Sequence, residues 1–308
     1  MSKINRKKYG VISDIHLNPS MMTPIVNRLK SEGVDALVLN GDIGNDLESI
    51  DNTLDKATSL GVETYVQPGS HERLEDYFPV LEKFLNKKSN LVNVLKDSKI
   101  EFSDHHLVFL PGSDYRSGGE FALESFDGSN GGLCKTPKGD IYITNINSLD
   151  SMVTDPEKTI VFCHVPRKFY NPKICVDHAH FGQLKNGDIY PKPIVEEIVK
   201  NKFGKHMAED RIEEHMGAFA RDFFGISLKR ENRGNTDLKL AYERNGITKA
   251  ISGHFHESSH RANDSKSRYV SEDFFTDDLF YNSGAADDGL AGIVNVVGNK
   301  IAYKNIVL

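Results

Sequence analysis

The sequence predicts an α/β fold whose first part is a parallel sheet, and three observations predict it. Between Tyr9 and Leu85, apolar runs with strand character alternate with segments of helical spacing. The resulting β-α-β-α-β order calls for parallel strands joined by right-handed crossovers. Five apolar runs along the chain are each followed within a few residues by Asp or His, at the strand end where open α/β sheets bind ligands.

Tyr9–Ser13 opens the series as a strand. Pro24–Ser31 reads as a helix, with Thr23 as N-cap, Pro24 at the first helical position and Gly33 just past the end. Ala36–Leu39 is the second strand. Leu47–Leu60 sets Leu47, Ile50, Leu54 and Ala57 at helical spacing, and Gly61 stops it. Glu63–Val66 is the third strand and Phe78–Leu85 the third helix. Lys99–Phe102 and His106–Leu110 flank Ser103-Asp104-His105 as a hairpin, in whose turn His105 and His106 are expected to be solvated. Residues 111–140 are rich in Gly, Ser and Asp and read as a long loop region, often a functional feature. After His164, strand character fades. Ile194–Val199, Met207–Phe224 and Asp237–Asn245 read as helices, so residues 167–248 are expected to form a helical insertion or cap within one domain, 1–308. Leu279–Asn282 is a short strand, and Ala291–Val297 and Lys300–Val307 flank Gly298-Asn299, a tight hairpin signal.

The composition is that of an ordinary globular protein: 308 residues, 38% hydrophobic and 27% charged, enough to bury a full core. No apolar run is long enough for a membrane span, and the start has no signal-peptide pattern. Cys134, Cys163 and Cys175 are too few and too scattered for a disulfide framework, so a reducing, cytoplasmic setting is expected. With no CxxC pair, a zinc–thiolate site is not expected. A formal charge of −6 argues against a broad nucleic-acid footprint.

The chemistry lies in the strand ends. In extended backbone, residues i and i+2 point the same way, so Asp14 and His16 can grip one ion together. His254 and His256 have the same spacing and can share one ion or split between two. Asp42, after Gly41, can bridge two ions through its two oxygens. Gly69 permits a close backbone turn before Ser70 and His71. His164 follows Thr159–Phe162, with Cys163 read as strand packing. His178 and His180 are weaker candidates to line the site; His206, His215 and His260 read as surface groups. Taken singly, each of these residues has an ordinary role as a cap, turn or core histidine. Their joint order after five apolar runs does not. Carboxylate plus imidazole suits Mn, Fe, Zn, Co or Ni, and the number of ligands suggests two ions.

The set Asp14-x-His16, Gly41-Asp42, Gly69-x-His71-Glu72, His164 and Gly253-His254-x-His256 resembles the calcineurin-like metallophosphoesterase superfamily. The family pattern runs Asp-x-His, Gly-Asp, Gly-Asn-His-Asp/Glu, a later His, then Gly-His-x-His. The resemblance implies a four-layer αββα sandwich, two mixed β-sheets face to face with helices outside. It implies that Asp14, His16 and His256 hold one metal, that His164 and His254 hold the other, and that Asp42 bridges. His71 would donate a proton or hydrogen bond to the phosphoryl group or the leaving oxygen. The family places Asn before that His, as a ligand to the second metal. Here Ser70 stands there, a shorter and poorer neutral ligand, so the second ion is expected to be weaker or held partly by water.

The implied activity is hydrolysis of a phosphomonoester or phosphodiester by a hydroxide bridging two divalent ions, Mn first among them. Asn18, Arg116 and Arg167 are candidate phosphate contacts. The substrate expected is a phosphorylated small molecule or nucleotide. Nuclease activity, known with the same motifs, is disfavoured by the acidic balance and the lack of an aromatic-basic stripe. A reading from another class is a phosphoesterase fold used as a binding or scaffold module, for which Ser70 is the one sequence argument.

Overall fold

The computed structural model describes residues 6–113, 119–122, 132–136, 139–204 and 207–308. In chain order the first elements are β1 (Arg6–Ile12), α1 (Met22–Ser31), β2 (Ala36–Asn40), α2 (Leu47–Thr58), β3 (Glu63–Gln67) and α3 (Leu74–Leu85). β4 (Leu91–Asn93), β5 (Lys99–Glu101), β6 (His106–Leu110), β7 (Gly119–Ala122), β8 (Gly132–Thr136), β9 (Gly139–Asn145) and α4 (Leu149–Met152) follow. Next come β10 (Thr159–Cys163), β11 (His178–Gln183), β12 (Ile189–Pro191), α5 (Lys192–Phe203), α6 (Glu209–Phe224), β13 (Ser227–Asn232) and α7 (Thr236–Arg244). The chain ends with β14 (Lys249–Ser252), β15 (Ala262–Asn263), β16 (Leu279–Asn282), β17 (Leu290–Val297) and β18 (Lys300–Val307).

Two mixed sheets result, in the orders β18-β17-β1-β2-β3-β4 and β15-β16-β14-β10-β6-β5. β1 to β4 are parallel, as are β6, β10, β14 and β16. Side-chain alternation explains how the sheets stack. Val11, Val38, Phe109 and Phe162 meet between the sheets with Tyr65 and Tyr281. Their neighbours point outward: Ile12, Leu37 and Leu39 against α1–α3, and Val108, Val161 and Cys163 against α4 and α7. The layers are therefore helix, sheet, sheet, helix, the expected four-layer αββα sandwich.

Several element boundaries differ from expectation. α1 starts at Met22, not Pro24, because a 3₁₀ turn over Pro19–Met21 feeds into it, and Met21 rather than Thr23 is the N-cap. α3 starts at Leu74, leaving Pro79 inside the helix. α2 is closed by a capping box in which Asp46 and Ser49 satisfy each other's backbone N–H. The stretch expected as a long loop carries β7, β8 and β9, which form a small sheet. His105 is not solvated: it is 2% exposed, bonded to Tyr9 Oη at 2.6 Å and to Asp104 at 2.8 Å, and stacked on Phe102.

Residues 167–248 contain the three expected helices, and also a three-stranded sheet, β12-β11-β13, which was not expected. α5 and α6 pack on it around a small core of their own, Val195, Val199, Ile212, Met216, Ala220 and Ile226. α7 belongs instead to the main body, where Leu238, Ala241 and Tyr242 join the outer core of the second sheet. Among the described residues no helix is long and apolar enough to cross a membrane.

Candidate metal centre

β1, β2 and β3 of one sheet and β10 and β14 of the other end at one place. The loops after β1 and β2 are knitted by backbone bonds: Ile15 N–H to Asp42 O at 2.8 Å and His16 N–H to Asp42 O at 3.1 Å. The loops after β10 and β14 join through Gly253 N–H to His164 O at 3.0 Å. His254 N–H then reaches the Asp14 carboxylate at 3.0 Å, which ties the two sheets together.

The i, i+2 pairs do converge, but not through extended backbone. β1 ends at Ile12, and Asp14 and His16 have φ of 57° and 51°. Asp42 and His254 are also left-handed, at 52° and 69°. For non-glycine residues such conformations cost about 1–3 kcal/mol each, and they persist where surrounding structure over-determines them. Successive tight turns, rather than the pleat of a strand, aim these side chains. Glycine is required beside them. A Cβ on Gly253 would lie 2.4 Å from Ser13 Oγ and 2.5 Å from Asp14 Oδ2. Gly41 has φ of 88°, and a Cβ there would strike the His164 ring at 2.7 Å.

Two principal groups of ligand atoms result, Asp14 with His16 and His256, and Asp42 with His164 and His254. In the first, Nε2 of His16 and His256 lie 3.3 Å apart, and His256 Nε2 is 3.5 Å from Asp14 Oδ1. In the second, His164 Nε2 is 3.1 Å from Asp42 Oδ2 and 3.8 Å from Asp14 Oδ1. Asp42 also groups with His16 and His71, which places its carboxylate between the two sets.

Two further histidine contacts hold the ligands from behind. His164 Nδ1 lies 3.0 Å from Asn40 O and His16 Nδ1 lies 3.3 Å from Asn45 Oδ1, so each ring turns Nε2 inward. Neither Asn40 nor Asn45 belongs to the motif series, and nothing in their sequence context marks them. Glu72, a motif residue with no role assigned from the sequence, is fully buried. It accepts from Gly69 N–H at 2.7 Å and from Ile43 N–H, clamping the β2 and β3 loops together. Burial, and then the nearby Asp42 charge, push its carboxyl up to about 8.

The residues present fit cations. His164 Nε2 is buried and makes no hydrogen bond among the described residues, although two carboxylates face it. Burial alone would favour neutral forms throughout. Instead Asp42 and Asp14 hold His164 up at about 10, against burial, and Asp14 holds His256 up at about 9. Against the same burial, His164 draws both carboxyls far below the usual range. From the protein's own groups, therefore, protons on two imidazoles balance two buried carboxylates. A donor set of this kind exchanges those protons for divalent ions.

Ser70 is buried and faces Asp42, its Oγ 2.9 Å from Oδ2. His71 is exposed, its ring edge-on to His16 with centroids 4.6 Å apart, and its N–H donates to Asp42 Oδ1 at 2.9 Å. Asn18 is near the centre but gives its amide to Asp287 O at 3.2 Å. Arg167 is not brought to it. Its guanidinium lies over Phe169 and Phe280 on the outer side of the second sheet, bonded to Ser265 O at 3.3 Å. Arg116 lies outside the described residues, as does His206. His178 starts β11 beside the turn His256–Ser258, where Ser258 Oγ donates to its carbonyl at 2.6 Å. His260, read as a surface group, is half-buried and lies 2.9 Å from Ala291 O.

A family model of calcineurin-like phosphoesterases matches residues 7–258. No curated protein matches the sequence. Among solved structures, protein TT1561 of Thermus thermophilus is similar over 98% of this chain and 99% of its own, at 8% identity and a TM-score of 0.55. A dimetal phosphatase from Danio rerio covers 98% of each chain, at 14% identity and a TM-score of 0.47. A purple acid phosphatase from yellow lupin seeds covers 98% of this chain and 52% of its own, at 10% identity and a TM-score of 0.49. The motif residues fall at the strand ends of the expected fold, and the family match spans every one of them; the chain belongs to the calcineurin-like phosphoesterase family.

Proposed function

We propose that this protein is a dinuclear metal-dependent phosphoesterase acting on a phosphorylated small molecule or nucleotide. Asp14, His16 and His256 would hold one divalent cation, His164 and His254 the other, with Asp42 shared. Manganese is the first candidate, and Fe, Zn, Co and Ni suit the same ligands. Bound ions would supply Lewis acidity toward phosphoryl oxygens and a nucleophile available near neutral pH. The protein's own groups do the rest. Left-handed turns fix the ligand side chains before substrate arrives, so little reorganisation is needed at the moment of reaction. Glu72 and the Asn40 and Asn45 contacts keep the loops and rings in that arrangement. The exposed His71 ring, beside His16, would give a proton to the leaving oxygen.

One observation carries this reading. Asp14, His16, Asp42, His71, His164, His254 and His256, at strand ends of both sheets, converge into overlapping groups of ligand-type side chains, with Asp42 common to two of them. The inserted unit, whose β11 packs beside His256–Ser258, is proposed to act as a cap that selects the substrate. A cytoplasmic setting fits Cys163 and Cys175, both buried and in no disulfide among the described residues. A substrate panel run with Mn tests the activity: aryl monoesters, aryl diesters, nucleotides and single-stranded DNA. Turnover of mono- or diesters well above the nucleic acid supports the proposal.

The Ser70–Asp42 hydrogen bond favours one second reading, a binding or scaffold module with a weakened second site. Two bound ions with no turnover on any member of the panel would select it.

A further inference from the structure

We infer that Asp287 is a positioning residue for His256, and so for the first cation, supplied by a segment outside the region that carries the motifs. The inference rests on the metal-centre reading above. Asp287 lies in a 3₁₀ turn, Ala286–Asp288, some thirty residues after the last motif histidine and beyond residues 7–258, the span of the family match.

The turn is built onto the metal loop. Ala286 N–H donates to Ser13 O at 2.9 Å and Asp287 N–H donates to Asp14 O at 3.0 Å. Asn18 Nδ2 donates to Asp287 O at 3.2 Å. Ala285 and Ala286 are buried, and Ser13 pairs with Ala285 as an isolated parallel bridge. The backbone of Asp287 is thus fixed on both sides by the segment that carries Asp14 and Asn18. Asn18 acts here as a clamp on this turn.

From that anchor the carboxylate reaches the back of His256. Asp287 Oδ1 lies 3.8 Å from His256 Nδ1, while Nε2 of the same ring faces Asp14 and His16. Oδ1 is buried and has no hydrogen-bond partner among the described residues. A shift of about 1 Å would bring the pair to hydrogen-bond length. A ligating histidine almost always donates its other ring N–H to a carboxylate, carbonyl or water, which fixes tautomer and orientation. His164 has Asn40 O for this and His16 has Asn45 Oδ1. For His256 the group in place is Asp287, the only one of these three partners that is charged.

The test is calorimetric titration of the full chain with Mn, for wild type, Asp287→Ala, Asp287→Asn and Asp288→Asn. Asp287→Ala should weaken one of the two ions by about 10- to 100-fold and leave the other unchanged. Asp287→Asn keeps an acceptor oxygen and should lose less. Asp288→Asn, which changes charge by the same amount in the same cluster with His256, should lose less than Asp287→Ala. Thermal midpoints in chelator should match across all four, because the role is toward the ion. Wild-type affinity in Asp287→Ala overturns the inference. So does equal loss in Asp288→Asn, or equal weakening of both ions with a lowered midpoint in chelator. If Asp287→Ala does not fold, Asp287→Asn decides alone: weakening of one ion supports the inference and wild-type binding overturns it. Wild type that binds no divalent ion would overturn the metal-centre reading itself, a separate outcome.

Discussion

Ser70 Oγ lies 2.9 Å from Oδ2 of Asp42, and the backbone N–H groups of Ser70 and His71 both donate to Oδ1 of the same carboxylate. The residue that replaces the family's asparagine thus serves the shared carboxylate. It offers no carbonyl to a second ion. Three hydrogen bonds fix the orientation of a charge that is 2% exposed.

Replacing Ser70 by Asn should restore a carbonyl oxygen and tighten the second ion. Hard cations favour such ligands. Mn titrations of wild type and Ser70→Asn, read by heat and by activity, check this. A lower Mn requirement confined to one ion is expected. Equal or weaker affinity would mean that the loop is built around the serine hydrogen bond.

Metal binding should release protons and remove a pH dependence of stability. His164 and His256 sit near 10 and 9 in the fold, above their ordinary 6.5. Their contribution is therefore fully present below about pH 6.5 and is lost as pH rises through those values. Asp14 and Asp42 are depressed, so the same ion pairs, seen from the carboxylate side, fail as pH falls below the ordinary 3.8. In chelator the thermal midpoint should fall between about pH 6.5 and 10, and saturating Mn should flatten that fall. Calorimetry near pH 7 in buffers of different ionisation enthalpy should show protons leaving as Mn enters.

His71→Asn should lower turnover by about 10²–10⁴-fold on a substrate with a poor leaving group and leave metal content intact. Desolvation lowers the His71 pKa, Asp42 opposing and the His16 and His164 charges adding. A proton donor of this kind loses activity as pH rises through its pKa, so the variant should also lose that alkaline limb. An unchanged rate, or a loss of bound metal, would remove His71 from this role.

The inserted unit can be cut at a defined place. Gln183 of β11 pairs directly with Ser227 of β13, so residues 184–226 can be replaced by an Asn-Gly turn. This removes β12, α5, α6 and their separate core. It retains α7, whose Leu238, Ala241 and Tyr242 belong to the main body. Retained Mn binding with an altered substrate profile is expected. An identical profile in the folded, shortened chain would mean that the unit does not select substrate.

The parallel β-α-β start and the series of Asp and His residues at strand ends were legible in the sequence because both depend on residue type at fixed places. Parallel strands need apolar runs separated by helices, and ions need Asp and His where the runs end. The strands β11 and β13 were not legible. Their sequences, His-Ala-His-Phe-Gly-Gln and Ser-Leu-Lys-Arg-Glu-Asn, carry too few apolar residues for a strand signal, Ala179 and Phe181 in one and Leu228 alone in the other, and their cover comes from helices later or earlier in the chain. The left-handed turns were hidden because Asp14, His16, Asp42 and His254 are held there by tertiary bonds, not by local preference. The nearness of Arg167 to His164 in the sequence suggests an anion contact. Three residues further along, the chain has turned it to the opposite face, onto Phe169 and Phe280. Asp287 carried no signal at all, since only the bond to Asp14 O brings that turn to the centre.

Hydrolysis by this protein is proposed to depend on ions held around Asp42. The most direct measurement is aryl phosphoester turnover by chelator-stripped protein reloaded with Mn, with metal content determined on the same samples, for wild type and Asp42→Ala. Wild type should lose activity on stripping and regain it as two Mn ions bind, and Asp42→Ala should hold neither ion and show no turnover. Full activity in chelator, or full Mn occupancy in Asp42→Ala, would rule out that dependence.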